Sequence, residues 1–286
     1  MTTLFMGCAG TDLSAAWQLD RLRVLGLRAI PAEPAPGQFT TFESLIYTPD
    51  EMTVSVVWFA CLSQSADAFG CEIDDSELSN MEDAEIEDLI DAGFIGFEPG
   101  FPPTWVPPTE ALDDLSEEDK LEGENAIVNI IVSPDGGDED DALVAFKRLV
   151  VSLAETPNHN PEVTGITLEG KLMPDGSPLL ASPGQSYTLV PNLAPDAIED
   201  YTFINTAGES EQRTEEPYFT WYTDGGEFDQ AYSLYPSMDV EWTAPESAEP
   251  GTIIVVMRDR RGGMAWHKID VVYDSTTSDA PDSNEE

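Results

Sequence analysis

Two stretches decide the fold: "TVSVVWFAC" (Thr53–Cys61) and "PYFTWYT" (Pro217–Thr223), each a β-branched and aromatic run centred on a tryptophan. Strand side chains alternate between faces. In the first run Val54, Val56, Trp58 and Ala60 therefore share one face, and Phe59 and Cys61 the other. In the second, Phe219 and Trp221 alternate with Tyr218 and Tyr222. Matches extend outward from both runs in the same order. "APGQFTTFESLIY" (Ala35–Tyr47) precedes the first as "SPGQSYTLVPNLA" (Ser182–Ala194) precedes the second, with the turn-forming Pro-Gly-Gln shared. "WVPP" (Trp105–Pro108) follows the first as "WTAP" (Trp242–Pro245) follows the second. Each half then closes on strand, Gly-Gly turn, strand: "GENAIVNIIVSPDGGDEDDALVAFKRLVVS" and "GTIIVVMRDRRGGMAWHKIDVVYD". Four matches in one order indicate a duplicated β-rich unit.

Short strands with Pro/Gly punctuation predict antiparallel sandwiches, with the central Trp of each unit between the sheets. The tandem units resemble immunoglobulin/PKD-like domains of bacterial cell-envelope lipoproteins. "LDRLRVLGLRAIPAEPAPGQ" is similar to their opening strand and turn, and "VVMRDRRGG" to the closing hairpin of PKD-like modules. The intersheet cysteine pair of antibody domains is missing. The resemblance implies a mainly β chain of two immunoglobulin-like antiparallel sandwiches. The expected division is 1–18 as lipobox remnant and tether, 19–153 as the first domain, 154–162 as linker, 163–274 as the second domain, and 275–286 as a disordered acidic tail. Leu19–Leu27 is expected to be the first strand. An acidic insertion at about 62–123 carries two expected helices. "SNMEDAEIEDLIDAG" has a capping-box spacing (Ser79, Glu82), an apolar stripe (Ile86, Leu89, Ile90) and Gly93 as its stop. "TEALDDLSEEDKLEG" places Leu112 and Leu115 three apart.

The 286 residues carry 12 Lys+Arg against 56 Asp+Glu, a formal charge of −44. Such a chain has no unaided affinity for a nucleic-acid backbone or an anionic lipid surface. Acid in this excess fits a halophilic setting, where salt screens self-repulsion, and stability is expected to rise with salt. Cys61 and Cys71 bracket a short loop at a strand end. They read as a disulfide, which requires an oxidising compartment, or as two free buried thiols. Cys8, in "LFMGCAG", resembles a lipobox. It is expected to carry the lipid of an outer-membrane lipoprotein whose signal peptide is truncated in this sequence.

Enzyme signatures are missing: no G-x-S-x-G, H-E-x-x-H, P-loop or G-x-G-x-x-G occurs. His159 falls in the linker, and His267 shares a strand face with Ile269 and Val271. Asp135, Asp138, Asp140 and Asp141 in "SPDGGDEDD" offer oxygens for a possible calcium ion, or form a solvated turn. The basic run with Arg258, Arg260 and Arg261 pairs with the acidic surface or meets an anionic ligand or docking partner. Tyr218 and Tyr222 make a stacking face for sugars or pack on a neighbouring loop. The expected function is a non-enzymatic, lipid-anchored envelope protein in a binding or spacer role, its partner an envelope protein or glycan. A carbohydrate-binding or adhesion module with a calcium-stabilised turn is the alternative. An enzyme with its site in the insertion is the remote one.

Overall fold

The computed structural model describes residues 15–49, 52–63, 66–67, 70–71, 90, 93–138, 141–174, 176–204 and 208–273. The first sandwich opens with β1 (Arg23–Ile30), β2 (Thr40–Tyr47) and β3 (Val54–Leu62). The short β4 (Ala66–Asp67) and β5 (Gly70–Cys71) pair with each other. There follow β6 (Phe94–Glu98), β7 (Thr104–Trp105), the single-turn helix α1 (Asp119–Glu122), β8 (Glu124–Pro134) and β9 (Leu143–Val151). One sheet has the order β1-β2-β7 and the facing sheet β6-β3-β8-β9. The inward faces meet in a core built around Trp58, which is fully buried and stacked on Phe42 at 6.0 Å between ring centroids. The Trp58 indole N–H donates to Glu98 at 2.9 Å, so its one polar atom is satisfied.

The second sandwich contains β10 (Val163–Leu168), β11 (Lys171–Leu172), β12 (Leu179–Ala181), β13 (Ser186–Leu193), the hairpin β14 (Asp200–Ile204) and β15 (Ser210–Thr214), and β16 (Tyr218–Thr223). It ends with β17 (Glu227–Phe228), β18 (Tyr232–Leu234), β19 (Val240–Thr243), β20 (Gly251–Arg258) and β21 (Met264–Tyr273). The sheets have the orders β11-β10-β13-β19-β17 and β12-β21-β20-β16-β18. The first strand switches sheets, since β10 pairs with β13 and β12 runs parallel to β21. This Greek-key order is that of an immunoglobulin-like domain, with Trp221 at the strand-C position, fully buried. The matched sequence segments occupy equivalent places: β2 with β13, β3 with β16, β7 with β19, and the hairpin β8–β9 with β20–β21. The face assignments hold in both central strands: Val56, Trp58 and Ala60 point into one core, Phe219 and Trp221 into the other.

Three expectations are corrected. The opening strand starts at Arg23, not Leu19. Trp17, expected to end a tether, is seated on the second core with its ring 5.8 Å from Phe228, edge to face. The helix expected over Thr109–Gly123 shrinks to Asp119–Glu122, preceded by tight turns such as Leu115 N–H to Leu112 C=O at 3.1 Å. Pro107 and Pro108 precede this stretch, and a single lysine, Lys120 paired with Glu117, stands against its run of acids, so a longer helix has little support. Buried Ala111 and Leu112 fix the turns instead. The helix expected over 79–93 lies, except for Ile90 and Gly93, outside the described residues, as do Cys8 and the tail 275–286.

Candidate functional site

β20 is apolar on both faces, the pattern of a strand covered on both sides. Ile253, Val255 and Met257 enter the second core, while Ile254 and Val256, on the opposite face, are equally buried. Their cover is the first sandwich. Leu19 and Leu25 pack against Ile254 and Val256, flanked by Leu45, Tyr47, Tyr222, Met264 and Trp266. A register shift between Val24 and Gly26 lets β1 present Leu25 and Gly26 together to the neighbouring domain. A Cβ at Gly26 would lie 2.7 Å from the Met264 sulfur, so glycine permits this approach. Arg28 stacks 4.5 Å above the Trp266 ring and pairs with Glu43.

The expected linker over 154–162 is wired into both halves. The Asn158 side chain is buried and donates to Asp259 at 2.9 Å, while its backbone N–H donates to Glu33 at 2.7 Å. Asn160 donates to the Ala29 carbonyl at 2.7 Å and accepts from the Met264 N–H at 3.0 Å. Asp259 also accepts the N–H groups of Arg261 (2.7 Å) and Gly262 (2.9 Å). Burial still pushes its carboxyl above the usual range, against those donors. Arg261 donates to Glu199 (3.2 Å) and Glu215 (3.0 Å) and reaches Glu33 at 4.0 Å. Glu215 is likewise pushed up by burial.

Beside this seam, between β1, β9 and the β20–β21 turn, opens a cleft of about 530 Å³. Five of the chain's twelve cations line it: Lys147, Arg148, Arg258, Arg260 and Arg261. Among the described residues, six of the twelve have a carboxylate within ion-pairing distance. Of the six that do not, Lys147, Arg148, Arg258 and Arg260 all face this cleft. Asp259 is the one carboxylate on the described lining, and its oxygens already hold three donors. Arg258 donates to Leu25 C=O (2.7 Å) and the Thr220 hydroxyl (3.1 Å). Arg258 and Arg260 lie 5.7 and 5.9 Å from the Tyr218 ring, and Tyr218 packs on Tyr232. Lys147 is buried on the row of β9 that carries Leu149 and Val151, and donates to the Gly262 carbonyl. Burial, with Arg258 adding to it and Asp259 opposing, brings its ammonium down to about 8. Such a site attracts an anion and can bind it bidentately through guanidinium groups.

The structure thus brings Tyr218, Arg258, Arg260 and Arg261 together, adds Lys147 and Arg148, and withdraws Tyr222 into the seam as a packing residue. The signal for the two missed cations was "AFKRLVV": a lysine on the inward row of an otherwise apolar strand. Cys61 and Cys71 form a disulfide with a Cα–Cα distance of 5.6 Å. Asp141 accepts the Asp138 N–H at 3.1 Å and so closes the β8–β9 turn, while the Asp135 N–H donates to the Thr53 carbonyl at 3.0 Å. Asp140 lies outside the described residues. Among the described residues no group of three or more His, Cys, Asp and Glu is placed to hold a metal ion.

No family model matches the chain, and no curated protein matches it. Among solved structures, the D00-D0 domain of intimin is 10% identical; the match covers 87% of this chain and 100% of that one, at a TM-score of 0.23. The N-terminal Ig1-2 module of the Drosophila receptor protein tyrosine phosphatase DLAR is 11% identical over 89% of this chain and 99% of that one, TM-score 0.26. A nucleoside hydrolase-related hypothetical protein from Saccharophagus degradans is 15% identical over 44% of this chain, spans only 28% matched of its own length, and has a TM-score of 0.29. The strand order, rather than these likenesses, defines the chain as two immunoglobulin-like sandwiches in tandem.

Proposed function

We propose that this chain is a non-enzymatic protein of the cell envelope, held to the outer membrane by a lipid on Cys8 and used for binding or as a spacer. The observation that supports this reading best is the locked junction. An apolar seam and a buried hydrogen-bond network join the two sandwiches, so they project from a membrane as one stiff body. The Cys61–Cys71 disulfide fits an oxidising compartment. The basic cleft favours the binding role over the spacer role, since a spacer has no use for unpaired cations gathered in one place. Expression with the native sequence upstream of Met1 retained, followed by cell fractionation, tests the anchor. Membrane-bound protein that turns soluble on Cys8→Ser is the expected result. Equal solubility of both forms, with Met1 intact by mass spectrometry, overturns it.

A further inference from the structure

We infer that the junction cleft binds a compact acidic sugar, a single carboxylate-bearing saccharide unit. The inference supplies a ligand for the binding role above and rests on that role, though not on the lipid anchor. Three observations carry it. First, the charge pattern is opposite to the rest of the molecule. In a chain of net charge −44, cations have acids within easy reach, yet four of the six without an acidic partner among the described residues face one cleft. Holding five cations around the single lining carboxylate of Asp259 leaves an excess of like charge, and an anion in the cleft relieves it. Second, the cleft is far larger than an inorganic ion needs and falls in the range of small-molecule sites. Third, its walls are not only basic. Tyr218 lies under Arg258 and Arg260 and steadies their guanidinium groups, and Phe146 on β9, also on the lining, is 58% exposed and offers a ring face. A sugar ring meets both demands, because its C–H face packs on an aromatic ring while its carboxylate pairs with a guanidinium.

The same charge argument limits the size of the ligand. A long polyanion leaving the cleft runs over a strongly acidic surface, where unlike a single unit it is repelled within the screening length of about 8–10 Å. A single unit or a chain end is accommodated. Arg148 and Arg260 are exposed and have no acidic partner among the described residues, so they can be changed without disturbing the seam. Arg258 and Lys147 also hold backbone carbonyls across the junction and are poorer test sites.

The test uses the full chain carrying Cys8→Ser, so that anchoring does not enter. Glucuronate, glucose and inorganic sulfate are titrated by calorimetry and by NMR at low and physiological salt. Glucuronate is expected to bind at least 10-fold more tightly than glucose. Arg148→Ala with Arg260→Ala should weaken glucuronate at least 10-fold while near-UV circular dichroism stays unchanged. Phe146→Ala should weaken glucuronate several-fold and leave sulfate unaltered. Equal binding of glucose and glucuronate, indifference to the double variant, or sulfate binding as well as glucuronate irrespective of Phe146 each overturns the inference. Absence of all binding by the folded Cys8→Ser chain, where the chain with Cys8 intact fractionates with membranes, also overturns it and leaves the spacer reading standing.

Discussion

Trp58 and Trp221 occupy the same place in two sandwiches, but their surroundings differ. Around Trp221 two five-stranded sheets close on a core of 18 buried residues, with Trp242 as a second fully buried indole. Around Trp58 a four-stranded sheet faces one of three strands, and the core has 13 buried residues among the described ones. Among the described residues the first unit has the smaller core and one support that the second lacks, a disulfide between β3 and β5, while the seam of β1 on β20 buries apolar side chains of both. Strand order is shared between the two copies, while the means of stabilisation are not.

The sharpest way to break this comparison is to cut the same residue from both copies. Trp58→Ala and Trp221→Ala should each cost about 3–5 kcal/mol. Because the first core is smaller, Trp58→Ala should split thermal unfolding into two steps, with the second sandwich melting last. Trp221→Ala should destabilise both units together, since β20, which pairs with β16, carries one side of the shared seam. A single shared transition for Trp58→Ala would mean that the junction, not each core, sets cooperativity. Next in size is Arg261→Ala, which leaves the buried Glu215 carboxylate without its cation and should cost about 3 kcal/mol. Its mark should be faster hydrogen exchange at Asn158 and Gly262, on the two sides of the junction.

Cys61→Ala with Cys71→Ala should lower stability by about 2–3 kcal/mol, as expected for a loop this short, with faster hydrogen exchange in the first sandwich alone. Equal acceleration of exchange in both sandwiches would place the support elsewhere. The smallest effect concerns pH. Lys147 titrates near 8 in the folded chain against 10.5 for an ordinary lysine. The folded form therefore binds fewer protons than the unfolded form between these values, and stability rises with pH across that window. Below about 8 the buried ammonium is charged and this contribution is lost. Relative to Lys147→Met, the wild type should gain about 2 kcal/mol between about pH 7.5 and 9.5, read from urea midpoints. Parallel pH profiles for the two proteins would show that Lys147 is charged and satisfied in the fold.

What could be read from sequence was local in origin. Period-two alternation over Val54–Ala60 and Phe219–Trp221 gave the inward faces, and Pro-Gly turns gave the ends of the strands. The junction was less visible because it depends on which two outer faces meet, and neither face declares its partner. Its trace is "TIIVVM" in β20, a run without alternation that requires cover on both sides. The leucines at 19, 22, 25 and 27 gave a similar trace, obscured by the bulge that turns Leu25 outward. Of the cleft, the arginine run was legible as an excess of charge. Lys147 and Arg148 reach it from another domain, more than a hundred residues away in sequence, and only the packing of the two units brings them there.

The seat of Trp17 also determines how the molecule carries a pull. The Leu19 N–H bonds to the Thr223 carbonyl at 2.8 Å, and the Thr223 N–H to the Trp17 carbonyl at 3.1 Å. The chain is thus fastened to β16 of the second sandwich before it enters the first, and it returns through Asn158 and Asn160. Tension applied between residues 15 and 273 passes from Trp17 to β16, then through β20 to β21, all within one sandwich. The first sandwich hangs from this path as a side loop, slack until the Trp17 seat gives way. Once that seat slips, the chain lengthens by the reach of the released segment while both sandwiches stay folded, which makes the seat a mechanical fuse.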